Sequence, residues 1–362
     1  MNNAEYDVRR KRFIEAQAKE NLKAIFITHL PDVRYLCGFT GSNGNILLLQ
    51  DKGYFLTDFR YKEQSALEVR GLKVIVYQAG LGEALARLLE KRPGMQIGFD
   101  GMTLSYAEAM LLRKSLRGIA TVKPIKFSLT WLRAKKSRDE LKIMRGAIKK
   151  AEESLIAALS RMNPDSKAID LAVDMDMEAR RRGAEGPSFE TIVASGARGA
   201  MVHAKPSKMK LGGATIIDWG ILYGGYCTDM TRTISFGNPA PGMKKVYEVV
   251  LKAQEAAIKK IRPGLKASQV DLTARKIIEK AGYGEYFGHS LGHGVGLEVH
   301  ERPFIAKASR DTLEEGMVFT AEPGIYLPGK GGVRIEDMVV VTGQGAELLS
   351  SLTTSLYLED YI

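Results

Sequence analysis

Four carboxylates lie within two strand-like segments of the chain that are otherwise apolar. Each segment is broken near its middle by a glycine-containing turn, as in an antiparallel hairpin. The segments and their acids are 215–236 with Asp218 and Asp229, and 317–341 with Glu322 and Glu336. Exposure to water would explain a single acid, but two pairs in apolar strands indicate a buried polar site. A fold of this chain must therefore supply a partner that neutralises these carboxylates.

The first hairpin has its turn at Tyr223, Gly224 and Gly225. Pairing the strands around Tyr223 and Gly224 predicts that Asp218 lies directly opposite Asp229. Opposed residues share a face of the sheet, with Cβ atoms about 5 Å apart. Two carboxylates at that distance repel each other unless one holds a proton or a cation lies between them.

The second hairpin has its loop at 327–332. Pairing around Gly329 predicts that Glu322 lies opposite Glu336. Each hairpin would thus present one pair of acids to the same buried site.

Histidines are concentrated in the same half of the chain. There are five in total, and four of them are His203, His289, His293 and His300. Glycines on both sides of His293 predict a tight backbone turn beside a ligand. A histidine packed in the core is the alternative, but the four acids favour a metal ligand.

Four carboxylates and one imidazole are mostly hard ligands. Such a set suits two manganese ions, with cobalt or zinc as alternatives. It is unlike the thiolate ligands of a typical structural zinc site. Bridging carboxylates can hold two metal ions about 3.5–4 Å apart, and such a pair activates water and polarises a carbonyl. The sequence therefore predicts metal-assisted hydrolysis.

The first part of the chain alternates strand and helix patterns, which predicts an α/β domain. The predicted strands are 24–28, 45–50, 54–57, 73–77, 96–99 and 120–122, and the predicted helices are 6–20, 82–89 and 104–116. The pattern breaks at 124–130, so the predicted domains are 1–128 and 129–362.

The second part begins with a long predicted helix at 137–160. Two more helices are predicted to end near Arg182 and Ala281, each after a proline-containing segment. Ser268 with Asp271 three residues later is typical of a capping box at the start of the last helix. Two helices followed by a hairpin, occurring twice, predict a duplicated α+β unit.

Charge and composition narrow the classes of function. The formal charge is +11, but the basic residues are mixed with acids, as in Arg133–Lys150 with Asp139 and Glu140. We interpret that tract as a solvated helix face and expect no nucleic acid partner. No apolar run of about 18 residues occurs, so no membrane span is expected. Two distant cysteines, Cys37 and Cys227, favour the cytoplasm.

At these residues the chain resembles the pita-bread metallopeptidases, in particular the branch of aminopeptidase P and prolidase. The matching segments of the second part are 217–220, 228–233, 289–301, 322–326 and 332–337. Segments 33–42 and 56–61 resemble the creatinase-like N-terminal domain of that branch. The resemblance implies an α+β protein, with an N-terminal α/β creatinase-like domain and a C-terminal pita-bread domain.

The resemblance also implies a metal-ligand set. Asp218 would chelate one metal ion, Asp229 and Glu336 would bridge both, and His293 and Glu322 would hold the other. Glu322 would also take a proton from the attacking water.

Four further residues would act around this set, again by resemblance. His203 would contact the scissile amide, His300 would stabilise the tetrahedral oxyanion, and His289 would line the proline side. Arg334 would keep Asp218 ionised and oriented.

The chain departs from the family pattern in the loop before His203. It has Ala197-Arg198 where the family usually has Pro-Asn, and Met201-Val202 where the family has Leu-Pro. None of these residues would be a ligand. The loop therefore bears on the preferred first residue of the substrate and not on the chemistry.

The function that the resemblance implies is that of an Xaa-Pro aminopeptidase, a homodimer acting on peptides with proline in second position. Prolidase, which cleaves dipeptides, would share the five ligands. It would differ by a carboxylate-binding group at the far side of the site, for which Arg302 is a candidate. A non-catalytic pita-bread domain that binds other macromolecules is the alternative from another class, and the intact ligand set disfavours it.

Overall fold

The computed structural model describes residues 3–18 and 22–362. The chain divides into two compact units, Met1–Arg133 and Ala134–Ile362. The boundary expected from sequence, between 128 and 129, falls shortly before this division.

The first unit contains a six-stranded mixed sheet. Its strands are β1 (Ala24–Ile27), β2 (Asn45–Leu49), β3 (Gly53–Thr57), β4 (Lys73–Val76), β5 (Met95–Phe99) and β6 (Ala120–Pro124). They lie in the order β4-β3-β2-β1-β5-β6. The pairs β1–β2 and β2–β3 are antiparallel, and the other three pairs are parallel. All six strands occur where the sequence predicts them.

Five helices accompany this sheet. They are α1 (Asn3–Ala18), α2 (Leu30–Cys37), α3 (Lys62–Glu68), α4 (Leu81–Leu89) and α5 (Tyr106–Ser115). Helices α1, α4 and α5 were predicted, although the last two residues predicted for α1 lie outside the described residues. Helices α2 and α3 were missed because eight and seven residues are too short to show a helical repeat of apolar positions.

The second unit contains two pairs of packed helices. After the short α6 (Thr130–Ala134), which spans the division, come α7 (Arg138–Leu159), α8 (Ala168–Arg181), α9 (Met243–Lys260) and α10 (Ala267–Lys280). Helix α7 packs on α8, and α9 packs on α10. The predicted repetition of a helix pair before each hairpin is confirmed.

The capping box predicted for the last helix is wrong. Helix α10 begins after Lys266, which makes no side-chain cap. The Asp271 carboxylate instead accepts hydrogen bonds from Arg275 and from the backbone N–H of Leu291, at 2.9 and 3.1 Å. Tertiary contact thus outweighs the local capping preference of this residue.

The strands of the second unit form four small sheets. They are β7 (Gly186–Pro187), β8 (Ile192–Ser195), β9 (Gly213–Trp219), β10 (Ile221–Tyr223), β11 (Tyr226–Cys227), β12 (Met230–Phe236), β13 (Gly292–Gly294), β14 (Glu301–Ile305), β15 (Val318–Ala321), β16 (Gly324–Leu327), β17 (Gly331–Arg334), β18 (Asp337–Thr342) and β19 (Gly345–Leu348). The sheet orders are β11-β10-β7, β12-β9-β8, β14-β13-β15-β18-β19 and β16-β17.

Strands β15 and β18 are covered on both faces. Val318 and Val340 belong to the apolar cluster formed with α7 and α8. Their neighbours Phe319 and Val339 belong to the cluster formed with α9 and α10. Burial on both faces explains why these strands are continuously apolar and do not alternate.

The first hairpin has a different register from the predicted one. Its turn is Gly224-Gly225, with φ of 59° and 79°, and Asp218 pairs with Thr231. A two-residue turn of this kind requires positive φ at both central positions, which two glycines supply and Tyr223 does not. The pairing is therefore shifted by two residues from the predicted one. Because side chains alternate along a strand, Asp229 lies on the same face as Thr231 and hence as its partner Asp218.

The second hairpin has the predicted register. Gly324 pairs with Arg334, and Leu327 pairs with Gly331, on either side of Gly329. The same register continues in β15 and β18. Glu322 and Glu336 therefore lie at equivalent positions of the two strands, in the short interruption between the two ladders.

A buried ion pair supports the start of β14. Lys136 Nζ lies 2.7 Å from Glu301 Oε1, and both side chains are 1% exposed. Lys136→Met leaves the Glu301 carboxylate buried without this cation. We expect the free energy of unfolding to fall by about 3–5 kcal/mol, because an uncompensated buried charge is strongly destabilising. Urea denaturation followed by circular dichroism measures the change.

The neighbouring lysine provides a matched control. Lys135 pairs with Glu314, but the two side chains are 49% and 51% exposed. Lys135→Met should lower the free energy of unfolding by about 1 kcal/mol or less, since exposed pairs contribute little. Equal losses in the two variants would contradict the assignment of Lys136 as a structural cation.

No described helix combines the length and the apolar content that a crossing of the bilayer requires.

Candidate metal centre and active-site cavity

A cavity of about 590 Å³ in the second unit is lined by residues of both hairpins. It brings together the nine residues that the sequence predicted as metal ligands or as side chains acting around them. These are Asp218, Asp229, His293, Glu322, Glu336, His203, His289, His300 and Arg334.

The five predicted ligands come from different strands. Asp218 lies on β9 and His293 on β13, whereas the other three lie just outside strand ends, before β12, after β15 and before β18. Ligand atoms of Asp229, His293 and Glu336 all lie within 4.8 Å of one another. His293 Nε2 is 3.5 Å from Asp229 Oδ2 and 3.3 Å from Glu322 Oε1. These distances allow shared cations to be held among the side chains.

Two oxygens of this cluster are buried without a hydrogen-bond donor. They are Asp218 Oδ1 and Glu336 Oε1. An unpaired buried carboxylate oxygen is unfavourable, and a cation in the cavity would satisfy it. The donor set of carboxylate oxygens and one imidazole is the set that manganese or a similar divalent ion binds. The residues present therefore fit a divalent metal centre.

Burial and mutual repulsion alter the acidity of the carboxylates. Burial raises the pKa of Asp218, and burial together with neighbouring carboxylates raises the pKa of Asp229 and of Glu336 well above the usual range. For Glu322, burial is outweighed by the hydrogen bond and charge of His293, so its pKa is lowered. One acid is thus kept ionised while its neighbours require protons or cations.

The raised carboxylate pKa values predict how metal binding depends on pH. The pKa of these acids in the unfolded chain is about 4. A group whose pKa is higher in the folded protein favours folding most at pH values below its unfolded pKa. This contribution is lost as the pH rises through the folded pKa. The metal-free protein is therefore less stable near neutrality than at lower pH. A divalent ion binds the ionised carboxylates, offsets their mutual repulsion and so restores stability to the folded state. We expect manganese to raise the unfolding midpoint of the metal-free protein more at pH 7 than at pH 5. A rise of equal size at both pH values would contradict this interpretation.

Arg334 orients the first hairpin against the second. Its Nη2 donates to Asp218 Oδ2, its Nε donates to Thr231 Oγ1 at 3.1 Å, and its Nη1 donates to the Tyr326 hydroxyl at 2.8 Å. The guanidinium therefore holds the Asp218 carboxylate in one orientation and compensates its charge.

Three hydroxyls that contact the cavity side chains were not predicted from the sequence. Thr231 Oγ1 donates to Glu336 Oε2 at 2.6 Å, Thr320 Oγ1 donates to Glu322 Oε1 at 3.2 Å, and the Tyr326 hydroxyl lies 2.9 Å from His289 Nε2. Each fixes a cavity side chain. The two-residue period of a strand could have found Thr231, because it shares a face with Asp229.

Four histidines line the cavity, and they are His203, His289, His293 and His300. The rings of His293 and His300 lie with centroids 4.0 Å apart. Burial, reinforced by the charge of His293, lowers the pKa of His300. Burial also lowers the pKa of His289. Both rings are therefore neutral near pH 7, and a neutral imidazole has one N–H to donate.

The glycines beside His293 have a different purpose from the one predicted. Neither Gly292 nor Gly294 has positive φ. A Cβ at Gly292 would meet the Thr320 carbonyl oxygen at 1.9 Å, and one at Gly294 would meet the Arg302 carbonyl oxygen at 2.1 Å. Close approach of neighbouring strands, and not a turn, requires glycine here.

Arg302 does not provide the expected carboxylate-binding group. Its Nη1 donates to Asp311 Oδ1 at 2.6 Å. Among the described residues it is not part of the cavity lining.

Comparison with known proteins identifies the family. Residues 142–343 match metallopeptidase family M24, and residues 9–135 match the creatinase/prolidase N-terminal domain. The chain belongs to metallopeptidase family M24. It is accordingly a hydrolase and a metallo-exopeptidase, with a pita-bread second unit, and the alternative of a non-catalytic binding domain is set aside.

Individual relatives cover almost the whole chain. It is 36% identical to an Xaa-Pro dipeptidase of Pyrococcus horikoshii, over 96% of this chain and 97% of that protein. Its structure resembles an Xaa-Pro dipeptidase from Bacillus anthracis with a TM-score of 0.92 at 36% identity, covering 97% and 99% of the two chains. It also resembles an X-Pro aminopeptidase from Thermotoga maritima with a TM-score of 0.88 at 34% identity, covering 96% and 99%. The predicted fold class and the resemblance to the aminopeptidase P and prolidase branch are confirmed.

Proposed function

We propose that this protein hydrolyses Xaa-Pro dipeptides with the help of two divalent metal ions, manganese foremost. The sequence favoured the related Xaa-Pro aminopeptidase activity and kept the dipeptidase as its alternative. The similarity to two Xaa-Pro dipeptidases over nearly the full length of each chain supports the dipeptidase. The proposed metal ligands are Asp218, Asp229, His293, Glu322 and Glu336.

The metal centre would activate a water molecule and polarise the scissile carbonyl. Glu322 would accept the proton of that water, the role that the resemblance to the family implies for it. The resemblance assigns to His300 a hydrogen bond to the oxyanion and to His203 a contact with the amide, and both histidines line the cavity. Arg334 holds Asp218 in the orientation needed for binding a cation.

Apolar side chains form part of the cavity lining, and we assign them to the proline side of the site. Val299 and Phe304 line the cavity together with His289, which is held by Tyr326. Proline lacks an amide N–H and has a fixed backbone angle. A wall that contacts the ring selects for it, and an alanine in the same place would lose those contacts.

A comparison of three substrates tests the proposal. The specificity constant for alanyl-proline should exceed that for alanyl-prolyl-alanine and that for alanyl-alanine. Equal constants for alanyl-proline and alanyl-alanine would contradict proline specificity. A larger constant for alanyl-prolyl-alanine would assign the aminopeptidase activity, for which the similarity to the Thermotoga enzyme is the supporting observation.

We infer further that the protein is a cytoplasmic homodimer. The two cysteines are free and buried, and burial raises the pKa of Cys37 and of Cys227 to about 12, so both thiols stay protonated. Such thiols suit a reducing compartment. The dimer is the assembly that the resemblance to the aminopeptidase P and prolidase branch implies. Light scattering coupled to size exclusion measures the mass directly.

A further inference from the structure

We propose that Lys205 binds the C-terminal carboxylate of the substrate and that Lys205 forms an ion pair with Glu190 when no substrate is present. This inference rests on the proposed dipeptidase function. It assigns the group that would distinguish dipeptides from longer peptides, a role that Arg302 does not fill.

The charges around the cavity lead to Lys205. Among the described residues that line the cavity, two are lysine or arginine, namely Lys205 and Arg334. Arg334 is 3% exposed and is bound to Asp218. Its Nε donates to Thr231, and its Nη1 donates to the Tyr326 hydroxyl and to the Val202 carbonyl oxygen. Lys205 is thus the cation of the lining that a substrate can reach.

The contact of Lys205 with Glu190 is an exchangeable one. The Nζ of Lys205 lies 3.0 Å from Glu190 Oε2, and the two side chains are 76% and 63% exposed. An exposed pair of this kind contributes little to stability. A substrate carboxylate can therefore replace Glu190 at small cost, and the long lysine stem lets the ammonium adjust to it.

The backbone around Lys205 is held in place by two arginines. Arg198 Nη2 donates to the Lys205 carbonyl oxygen at 2.9 Å. Arg334 Nη1 donates to the Val202 carbonyl oxygen at 3.4 Å. The loop that carries His203 is thereby fixed at both ends, and Lys205 is held two residues away from it at the cavity. Arg198 is one of the residues in which this loop departs from the family pattern.

A lysine at this position favours dipeptides for an electrostatic reason. The second residue of a dipeptide carries the free carboxylate, whereas in a tripeptide the same carbonyl is a neutral amide. The terminal charge of a tripeptide lies about 3.5 Å further along the chain. The ammonium would therefore stabilise a bound dipeptide more than a bound tripeptide. Without Lys205, the unpaired Glu190 would repel the carboxylate.

The test compares Lys205→Met with the wild-type enzyme on alanyl-proline and on alanyl-proline amide, which lacks the carboxylate. We expect the KM for alanyl-proline to rise about tenfold, the usual effect of losing one hydrogen bond to a charged group. The kcat should stay nearly unchanged, because the lost contact stabilises the bound substrate and the transition state equally. The kinetics on the amide should not change. Glu190→Gln should lower the KM for alanyl-proline. Lys208→Met, an exposed lysine of the same loop outside the cavity lining, is the matched control and should leave both substrates unaffected.

The outcomes separate this inference from the proposed function. If the wild-type enzyme prefers alanyl-proline to alanyl-prolyl-alanine, and Lys205→Met keeps that preference, the role of Lys205 is wrong and the dipeptidase stands. If the wild-type enzyme has no such preference, the dipeptidase assignment fails and the role of Lys205 fails with it. Equal KM changes on alanyl-proline and on its amide would also overturn the inference, because they would indicate a general change in the loop.

Discussion

His293→Ala should lower the kcat/KM for alanyl-proline by on the order of 10³-fold, since a metal centre supplies several kcal/mol of transition-state stabilisation. The imidazole lies 3.5 Å from Asp229 and 3.3 Å from Glu322. Its removal would take away one of the proposed metal donors and leave the neighbouring carboxylates without the imidazole between them. The bound metal, measured by elemental analysis, should fall below that of the wild-type protein. The far-ultraviolet circular dichroism should stay the same.

A histidine of the first unit is the control for this variant. His29 precedes α2 and contacts Asp32 at 3.1 Å, so His29→Ala should keep both metal content and turnover. Near wild-type turnover by His293→Ala with full metal content would remove His293 from the proposed ligand set.

His300→Ala should lower kcat by on the order of 10²–10³-fold, the usual effect of removing one donor to an oxyanion. The negative charge on the former carbonyl oxygen develops in the transition state, so KM should stay close to that of the wild type. The ring lies beside that of His293, tilted by 45° with centroids 4.0 Å apart, and it lines the cavity. Steady-state kinetics and metal analysis on the same preparation measure both properties.

The alternative roles of His300 give different results. If it were a metal ligand, His300→Ala would lose metal as well as turnover. If it merely supported the backbone before Pro303, the turnover would be unchanged. His300→Gln keeps an N–H donor and should recover part of the lost kcat, which a purely structural role would not explain.

The sequence predicted the elements of the fold better than their pairing. The apolar segments predicted every strand of the first unit, because burial and strand length set that pattern. The register of the first hairpin depends on whether Tyr223 or Gly225 occupies the turn. That choice is decided by the backbone angles of Gly224 and Gly225, which composition alone does not show.

The acids of the candidate site were predicted from charge, whereas the hydroxyl contacts that support them were not. Acids in apolar strands are conspicuous because their burial requires compensation. A hydroxyl such as Thr231 is ordinary in a strand, and its bond to Glu336 depends on how two hairpins meet. For the same reason Ser268 and Asp271 suggested a cap, whereas the packing of α10 directs Asp271 to Leu291.

A metal titration tests most directly whether this protein is a proline dipeptidase that depends on a metal centre. The protein is stripped by exhaustive chelation, shown to be metal-free by elemental analysis, and assayed for release of proline from alanyl-proline as manganese is added. We predict no hydrolysis at the start and a rise that levels off near two ions per chain. Full turnover by protein that is demonstrably metal-free would contradict the account.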